Sequence, residues 1–395
     1  MLKREDRAFL AQPSPTVIDQ LSSILLSSSK VFLTIPMNFG IFAAIELPFR
    51  APKRPPINPP KIIIAFVIST LLFSCAKTEK KCEEVSCSPF KTTLRCTPVK
   101  NQGMTEACWI YAFLACVETE RMEHHNDSVN LSPMWLMRSL LVEQATEKYL
   151  SQGALPISVR GIGPDAERLM REYGIVQWDA YYSDSVNSHV LQEMIHEKVN
   201  DAINDRKKLN ALNKDVDKVL PYVPQNIRNG FFLKGTHYTH KQYGDSLLSG
   251  ISVKWLTSYT HHPFGEPYVI ELSDNFRRHA VMNVEIEEFY SQVVQALKEH
   301  HPVFWEGKMP GNEKPVIEHN LAFQRQQAFE SFQTPDQHSM AIVGIKQEED
   351  GNLFFICKNS WGKVWGMNGY CLMSKEDFLI NTILVGIFDG KGFNV

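Results

Sequence analysis

Side chains with the chemistry of acyl transfer stand in two segments that lie far apart in the chain. Gln102 and Cys108 belong to the first segment, and His338 and Asn359 belong to the second. A cysteine thiolate can attack a carbonyl carbon, an imidazole can move the protons, and an amide can orient the imidazole or bind a developing oxyanion. This combination predicts a cysteine nucleophile and an acyl-enzyme intermediate.

The segment around Cys108 must place the sulfur where it can ionise. Apolar residues recur at helical spacing after the cysteine, with no Gly or Pro between them: Ile110, Phe113, Leu114 and Val117. We predict a helix that begins at Cys108, with a tight turn at Gly103 before it. Because a helix amino terminus and a nearby imidazolium both lower a thiol pKa, we expect a lowered pKa for Cys108.

The segment around His338 reads as a β-hairpin. An apolar run, 340–345, follows the histidine and predicts a buried strand. A charged turn and a second apolar run, 353–358, lead into Asn359. Such a hairpin would set His338 beside Asn359, whose side chain can fix the tautomer and the direction of the ring. Trp361 would cover this contact and keep water away from it.

Both segments resemble those of the papain-like cysteine peptidases. The lead-in 97–103, the Cys108-Trp109 pair and the Asn-Ser-Trp-Gly sequence at 359–362 carry the resemblance. It implies an α+β, papain-like two-lobed fold, in which a helical left domain carries Cys108 on its central helix. A β-barrel-like right domain would carry His338 and the asparagine, with the active site in the cleft between the two domains.

The resemblance also implies a role for each residue of the site. Cys108 would attack a peptide carbonyl, and Gln102 would bind the oxyanion together with the Cys108 N–H group. His338 would protonate the leaving amine and then activate water, while Asn359 orients the ring. The supporting aromatic residues are Trp109 and Trp361. No metal ion or organic cofactor is implied.

The loop before the nucleophile departs from the family pattern. Residues 105–107 are Thr-Glu-Ala where the family has Cys-Gly-Ser. Glu106 therefore brings a carboxylate close to Cys108, and an inward-pointing carboxylate would raise the thiol pKa. We expect Glu106 to point to solvent or toward a substrate amine.

Further stretches resemble bleomycin hydrolase and bacterial aminopeptidase C, namely 131–138, 149–153 with 161–165, 257–264 with 271–275, and 325–338. In that branch a carboxy-terminal arm lies in the cleft and its carboxylate meets the amino group of the substrate. Here a final strand, 382–388, is followed by only a short tail. We therefore expect cleavage of amino-blocked peptides, although the sequence leaves amino- and endopeptidase action both open, and an oligomer is not required.

The amino-terminal region resembles the precursor of a bacterial lipoprotein. Basic residues and then an apolar run, 62–73, precede Cys75, which stands at the position of the acylated cysteine. The resemblance implies a bacterial cell-envelope protein that is lipid-anchored through Cys75 on the periplasmic or surface side. The run is too short to span a membrane comfortably. A plain signal peptide, an uncleaved anchor and a core strand are the alternatives.

These features predict the organisation of the domains. We interpret 1–60 as an extension produced by a misassigned start codon, 61–75 as the signal segment and 76–94 as a linker. The peptidase domain would comprise 95–395, with a charged, amphipathic helical insertion at about 185–245.

The composition limits the kinds of partner that the protein is expected to bind. The chain has 395 residues, 44% of them hydrophobic, and a formal net charge of −3, so no basic excess favours nucleic acid. The expected partners are a peptide or protein substrate and, through the lipid on Cys75, a membrane. Eight cysteines without a C-x-x-C pair predict neither a disulfide framework nor a metal site. An oxidising compartment would allow one disulfide among Cys82, Cys87 and Cys96.

The adjacent histidines His261 and His262 raise the question of a metal site. Neighbouring side chains on a strand point in opposite directions, so we expect no joint ligation and assign both residues to packing and hydrogen bonding.

Two rival functions remain open at this level. One is a catalytically impaired, lipid-anchored peptide-binding protein, which the altered loop at 104–107 favours. The other is acyl transfer to an amine on the same fold, as in transglutaminase-like relatives.

Overall fold

A computed structural model describes residues 93–183, 186–311, 315–317 and 320–389. The predicted amino-terminal extension, the signal segment with Cys75 and nearly all of the linker lie outside these residues. The tail after the final strand lies outside them as well. Among the described residues, no helix has the length and apolar character needed to cross a membrane.

The central helix, α1 (Cys108–His124), begins at the predicted nucleophile, so the predicted helix is confirmed. Its first turns are buried on nearly every side, which is typical of a helix that other elements surround. It packs against β7 (His338–Gln347) on one side and against α2 (Pro133–Leu150) and α3 (Gly163–Tyr173) on the others.

Helix α2 begins where the sequence provides standard amino-terminal signals. The side chain of Ser132 accepts a hydrogen bond from the N–H group of Trp135, and Pro133 occupies the first helical position. A serine cap satisfies one of the free N–H groups of the first turn, and proline loses no hydrogen bond there. The helix therefore starts at a defined residue and presents Met134, Leu136 and other apolar side chains to the core.

The predicted helical insertion contains helices together with one small hairpin. Its elements are α4 (Ser188–Asn204), α5 (Leu209–Val219), β1 (Phe231–Leu233), β2 (Thr236–Tyr238) and α6 (His240–Leu248). Helix α4 buries Leu191, Ile195 and Val199, which recur every four residues and form one apolar face. That face joins the same hydrophobic core as α1.

The remaining strands form one eight-stranded sheet. They are β3 (Ser252–Thr257), β4 (Pro267–Val269), β5 (Ala280–Asn283), β6 (Val303–Gly307), β7, β8 (Leu353–Lys358), β9 (Tyr370–Ser374) and β10 (Thr382–Asp389). Their order is β4-β5-β3-β10-β6-β7-β8-β9, antiparallel except for the β3–β5 pair. Strand β10 thus lies in the interior of the sheet. Within the described residues β4 and β9 do not pair, so the sheet is open and the expected barrel is not closed.

The middle of the sheet is buried on both faces. Phe304 and Ala341 point into the core that contains α1, whereas their neighbours Trp305 and Met340 point into a second core. This alternation follows from the two-residue period of a strand. The second core is covered by α7 (Ile286–Lys298), α8 (Leu321–Glu330) and α9 (Lys375–Asn381).

The predicted hairpin is confirmed. Strands β7 and β8 pair in antiparallel fashion, with Ala341 opposite Lys358. Because Asn359 follows Lys358 directly, the end of β8 returns the asparagine to the beginning of β7, where His338 stands.

Candidate active site

The thiol of Cys108 lies where α1 meets β7. Its Sγ is 4.0 Å from Oγ of Ser339, the residue that follows His338. Cys108 is the first residue of α1, and His338 is the first residue of β7. The packing of this helix on this strand therefore brings together the two segments that carry the predicted nucleophile and base.

His338 is held by Asn359. The His338 Nε2–H group donates to Oδ1 of Asn359 over 2.7 Å, and both residues are buried. An amide oxygen can only accept, so this contact places the proton of the neutral ring on Nε2 and leaves Nδ1 as an acceptor. The ring of Trp361 packs against the imidazole, with 4.5 Å between the ring centroids. The predicted pair and its aromatic cover are thus in contact.

Gln102 is fixed against the segment that follows Asn359. Its backbone N–H donates to the carbonyl of Ser360 over 2.7 Å, and its Oε1 accepts from the Ser360 hydroxyl over 2.6 Å. Its Nε2 donates to the carbonyl of Thr105 over 2.7 Å. An amide NH2 group has two N–H bonds, so one of them remains for a ligand.

Trp109 anchors a loop that lies beside the site. Its indole N–H donates to the carbonyl of Val159 over 2.9 Å. Gly161 approaches the same ring so closely that a Cβ atom there would lie 2.7 Å from it. A larger residue would push the loop away from α1, which explains the glycine at this position.

Burial sets the protonation states of the pair. It raises the pKa of the Cys108 thiol to about 12, and the charge of Asp336 adds to the effect. Burial lowers the pKa of His338 to about 4, against the opposing effect of its hydrogen bond to Asn359. The resting pair is therefore a thiol and a neutral imidazole. The expectation of a lowered thiol pKa is wrong for the unliganded site, because burial of the sulfur raises the pKa more than the hydrogen bonds from Ser339 lower it.

Glu106 is directed toward two basic side chains. Its carboxylate lies 3.9 Å from the Arg160 guanidinium and 3.8 Å from Nε2 of His189. The groups that raise the thiol pKa are instead Asp336 and Glu306, which the sequence reasoning missed. A glutamate directly after the apolar run 302–305 and an aspartate two residues before His338 were the available signals.

A buried charge network supports both halves of the site. Glu118 of α1 is fully buried and binds the Lys100 ammonium. It also accepts from the Thr97 hydroxyl over 2.5 Å, and the Lys358 ammonium donates to that hydroxyl over 2.9 Å. Lys100 lies two residues before Gln102, and Lys358 directly precedes the asparagine of the site. Glu118 thus connects α1 to the backbone just before each of the two predicted site amides, directly through Lys100 and through the Thr97 hydroxyl to Lys358.

The predictions for His261 and His262 need a correction. Both residues lie in the loop after β3 and not on a strand, and Nε2 of each contacts the carboxylate of Glu271, at 3.2 and 2.7 Å. The argument that neighbouring side chains on a strand point in opposite directions therefore does not apply to these two histidines. Glu120, His124 and His301 form a second group whose possible ligand atoms lie within 4.8 Å of one another. The absence of a metal ion stays a prediction.

One of the three cysteines in the disulfide prediction is described by the structure. Cys96 is buried there as a free thiol, and the disulfide stays a prediction. Its Sγ contacts the carbonyl of Leu94 and the hydroxyl of Thr119. Cys82, Cys87 and the predicted lipidation site Cys75 lie outside the described residues.

Comparison with known proteins finds a family model and solved structures that resemble this chain. The model of the papain family cysteine proteases matches residues 293–384, which include His338 and Asn359. A crystal structure of pepw from Lactobacillus rhamnosis has a TM-score of 0.57 at 17% identity and covers 77% of this chain and 83% of that chain. The fold is papain-like. The expected α+β, two-lobed fold class is thereby confirmed, with the open sheet described above.

Sequence similarity to curated relatives is confined to a short stretch. Testin-2 of Rattus norvegicus and cathepsin J of Mus musculus are each 45% identical over 42 residues. That stretch spans 10% of this chain and 13% of each relative. The papain-like fold therefore rests on the structural match and the family model, and the activity of those relatives does not transfer by itself.

The depressed pKa of His338 predicts a pH dependence of stability. The unfolded ring has a pKa near 6.5 and the folded ring about 4. The unfolded state therefore binds more protons between these values, and the contribution of His338 to stability is complete above pH 6.5 and lost as the pH falls through 4. Urea unfolding should show a His338→Gln variant losing up to about 3 kcal/mol less than the wild type between pH 7 and pH 4. Equal losses in the two proteins would contradict the assigned pKa.

The charge network predicts a large cost for removing its anion. Glu118→Ala leaves the Lys100 ammonium without its carboxylate and the Thr97 hydroxyl without its acceptor, so the free energy of unfolding should fall by about 3–5 kcal/mol. The control Glu299→Ala removes an exposed carboxylate from the end of α7 and should change stability by less than about 0.5 kcal/mol. Urea unfolding measures both, and similar values for the two variants would refute a structural role of the network.

Proposed function

We propose that this protein is a cysteine peptidase that hydrolyses peptide bonds through Cys108, His338 and Asn359. One observation carries the proposal. The start of α1 meets the start of β7, so a thiol lies beside a strand whose first residue is an imidazole already oriented by an amide. The match of residues 293–384 to the papain family cysteine proteases supports it.

The geometry supports an attack that is coupled to proton transfer. Because the resting pair is uncharged, the thiol proton passes from Cys108 to Nδ1 of His338 as sulfur approaches the peptide carbonyl. The carbonyl π electrons move to oxygen, and a tetrahedral intermediate forms. The contact between Nε2 and Asn359 remains in place throughout and stabilises the imidazolium.

Two N–H groups are available to the negative oxygen. The backbone N–H of Cys108 is in the first turn of α1, where N–H groups have no acceptor within the helix. The second donor is the free N–H bond of the Gln102 side chain. Each such donor typically contributes a few kcal/mol to transition-state stabilisation.

The intermediate then collapses in two stages. The carbon–nitrogen bond breaks, and the imidazolium of His338 gives its proton to the leaving amine, which leaves a thioester on Cys108. His338 next removes a proton from water, the hydroxide adds to the thioester, and the carbon–sulfur bond breaks. The acid is released, and the sulfur recovers its proton.

The rival binding function has one specific observation in its favour. The backbone carbonyl of Thr105, in the altered loop, accepts a hydrogen bond from one of the two side-chain N–H groups of Gln102. This leaves a single N–H group of that side chain for an oxyanion. A protein that only binds peptides would tolerate this loss. The rival predicts peptide binding without turnover, whereas acyl transfer to an amine predicts amide products in place of acids.

Substitution of the nucleophile separates these functions. Cys108→Ala should abolish hydrolysis of a peptide panel while leaving the thermal unfolding midpoint within a few degrees of the wild type. The matched control is Cys371→Ala, which removes another partly exposed free thiol. A thiol-reactive peptide probe should label the wild type and Cys371→Ala but not Cys108→Ala.

The panel should contain each peptide with a blocked and with a free amino terminus, because we propose cleavage of amino-blocked peptides. Turnover by Cys108→Ala at the wild-type rate would refute the role of the sulfur. Peptide binding by the wild type without any turnover would favour the rival, and product analysis would reveal amine transfer.

We also propose that Cys75 is acylated and anchors the protein in the bacterial cell envelope. The support is the sequence alone, since this residue is outside the described part of the chain. Mass spectrometry of native protein should find an amino terminus at an acylated Cys75. Peptides from residues 1–60 in that material would contradict both the processing and the interpretation of the start codon.

A further inference from the structure

A carboxylate with one unpaired oxygen lies in the interior next to the site. Glu306 stands near the end of β6 and has no exposed surface. Its Oε2 accepts from the Gly163 N–H over 3.1 Å, but its Oε1 has no hydrogen-bond partner among the described residues. Burial of an unsatisfied carboxylate oxygen is costly, so a native protein that retains one calls for a functional explanation.

A second carboxylate in this region also has a buried oxygen without a hydrogen-bond partner among the described residues. Asp336 precedes His338 by two residues, and its Oδ2 is buried without a hydrogen-bond partner in the described chain. Its charge raises the pKa of both Glu306 and Cys108. The two segments also meet in the backbone, since the N–H of Gln337, the next residue, donates to the carbonyl of Gly307 over 3.4 Å. Asp336 as a whole is partly exposed, whereas Glu306 is not. The cluster is therefore open to solvent at Asp336 and closed at Glu306.

The local charge is unbalanced. The resident cation is Arg160, which donates to the carboxylate of Asp274 over 2.8 Å and lies 3.9 Å from that of Glu106. It reaches Asp336 only through the backbone carbonyl, over 2.9 Å. One guanidinium thus serves two other carboxylates, and those of Glu306 and Asp336 have no cation in direct contact within the described residues.

The cluster lies one side chain away from the nucleophile. Glu306 and Ser339 are opposite each other in the β6–β7 pairing. The hydroxyl of Ser339 is also the group that lies 4.0 Å from the sulfur of Cys108. A peptide whose carbonyl carbon meets the sulfur would therefore have a neighbouring group within reach of the two carboxylates.

We propose that Glu306 and Asp336 form an anionic specificity pocket that binds a positively charged group of the substrate, an ammonium or a guanidinium, beside Cys108. The inference rests on the proposed peptidase function and names its substrate class. Hydrogen bonds between a cation and a carboxylate are among the strongest that proteins make. A bound cation would supply the partners that Oε1 of Glu306 and Oδ2 of Asp336 lack.

Two sources could provide this cation. One is the side chain of a lysine or arginine near the scissile bond, and the other is a free amino terminus. The chemistry is the same in both cases. Burial raises the pKa of Glu306 and raises that of Asp336 to about 7, so a cation that enters should also displace protons from the pair.

The test uses binding, so that it does not depend on turnover. Full-length Cys108→Ala would be titrated calorimetrically with acetylated peptides that carry lysine or its neutral isostere norleucine at each of the two positions before the scissile bond. The same peptides with a free amino terminus form the second arm. The lysine peptide, the free-amine peptide or both should bind about tenfold or more tightly than the neutral acetylated peptide.

Carboxylate variants in the same background identify the pocket. Glu306→Gln and Asp336→Asn should each reduce the preference for the cation at least several-fold. The matched control Glu299→Gln removes an exposed carboxylate and should preserve the preference. Having two pocket variants keeps the test valid if one of them does not fold, as judged by its thermal unfolding midpoint.

Each outcome of these titrations either supports or overturns the proposed pocket. A preference confined to the acetylated lysine peptides supports the pocket with a side chain as ligand, and one confined to free-amine peptides supports it with the amino terminus as ligand. Equal binding of all peptides, no binding of any peptide, or a preference that survives in both pocket variants would overturn the proposal. Failure of the peptidase function is distinguishable, since it would show as cation-selective binding by the wild type without hydrolysis.

Discussion

The packing of the first turn of α1 against the first residues of β7 is the contact on which the site depends. The thiol and the imidazole come from distant parts of the chain, and no local structure could bring them together. Trp109 and Phe113 of α1 are almost completely buried, as are Met340 and Ile342 of β7. Neither element can shift without opening a cavity in a core. The geometry of the site is therefore as rigid as the core that holds it.

The same burial determines the electrostatics. It keeps the resting sulfur and imidazole uncharged, so that charge separates only when a substrate carbonyl is present to accept it. Burial also makes each unpaired ionic group in this region costly in free energy. The two buried glutamates of the region differ in how they are paired. Glu118 is satisfied by Lys100 and by backbone and hydroxyl donors, whereas Glu306 retains an unpaired oxygen in the part of β6 that lies opposite Ser339. We interpret Glu118, whose oxygens are paired, as a structural residue, and Glu306, which has an unpaired oxygen, as part of a ligand-binding site.

The sequence was informative where a feature depends on neighbours in the chain. Helical spacing after Cys108 predicted the start of α1, and two apolar runs separated by a charged turn predicted the hairpin that pairs His338 with Asn359. Features set by distant residues were not predictable in this way. The direction of the thiol pKa depends on Asp336 and on overall burial, and the sheet is open because its edge strands, β4 and β9, do not pair within the described residues. The two adjacent histidines were wrongly placed on a strand, because the chain leaves the strand before reaching them.

The most direct test of the account is a crystal structure of the protein after reaction with a peptide aldehyde. It should show a covalent bond between the aldehyde carbon and Sγ of Cys108, with the new oxygen within hydrogen-bond distance of the Cys108 N–H and of Nε2 of Gln102. Nδ1 of His338 should face the sulfur while Nε2 keeps its contact with Asn359. An unreacted Cys108, or an imidazole turned away from the sulfur, would contradict the central claim that the fold assembles a working cysteine nucleophile.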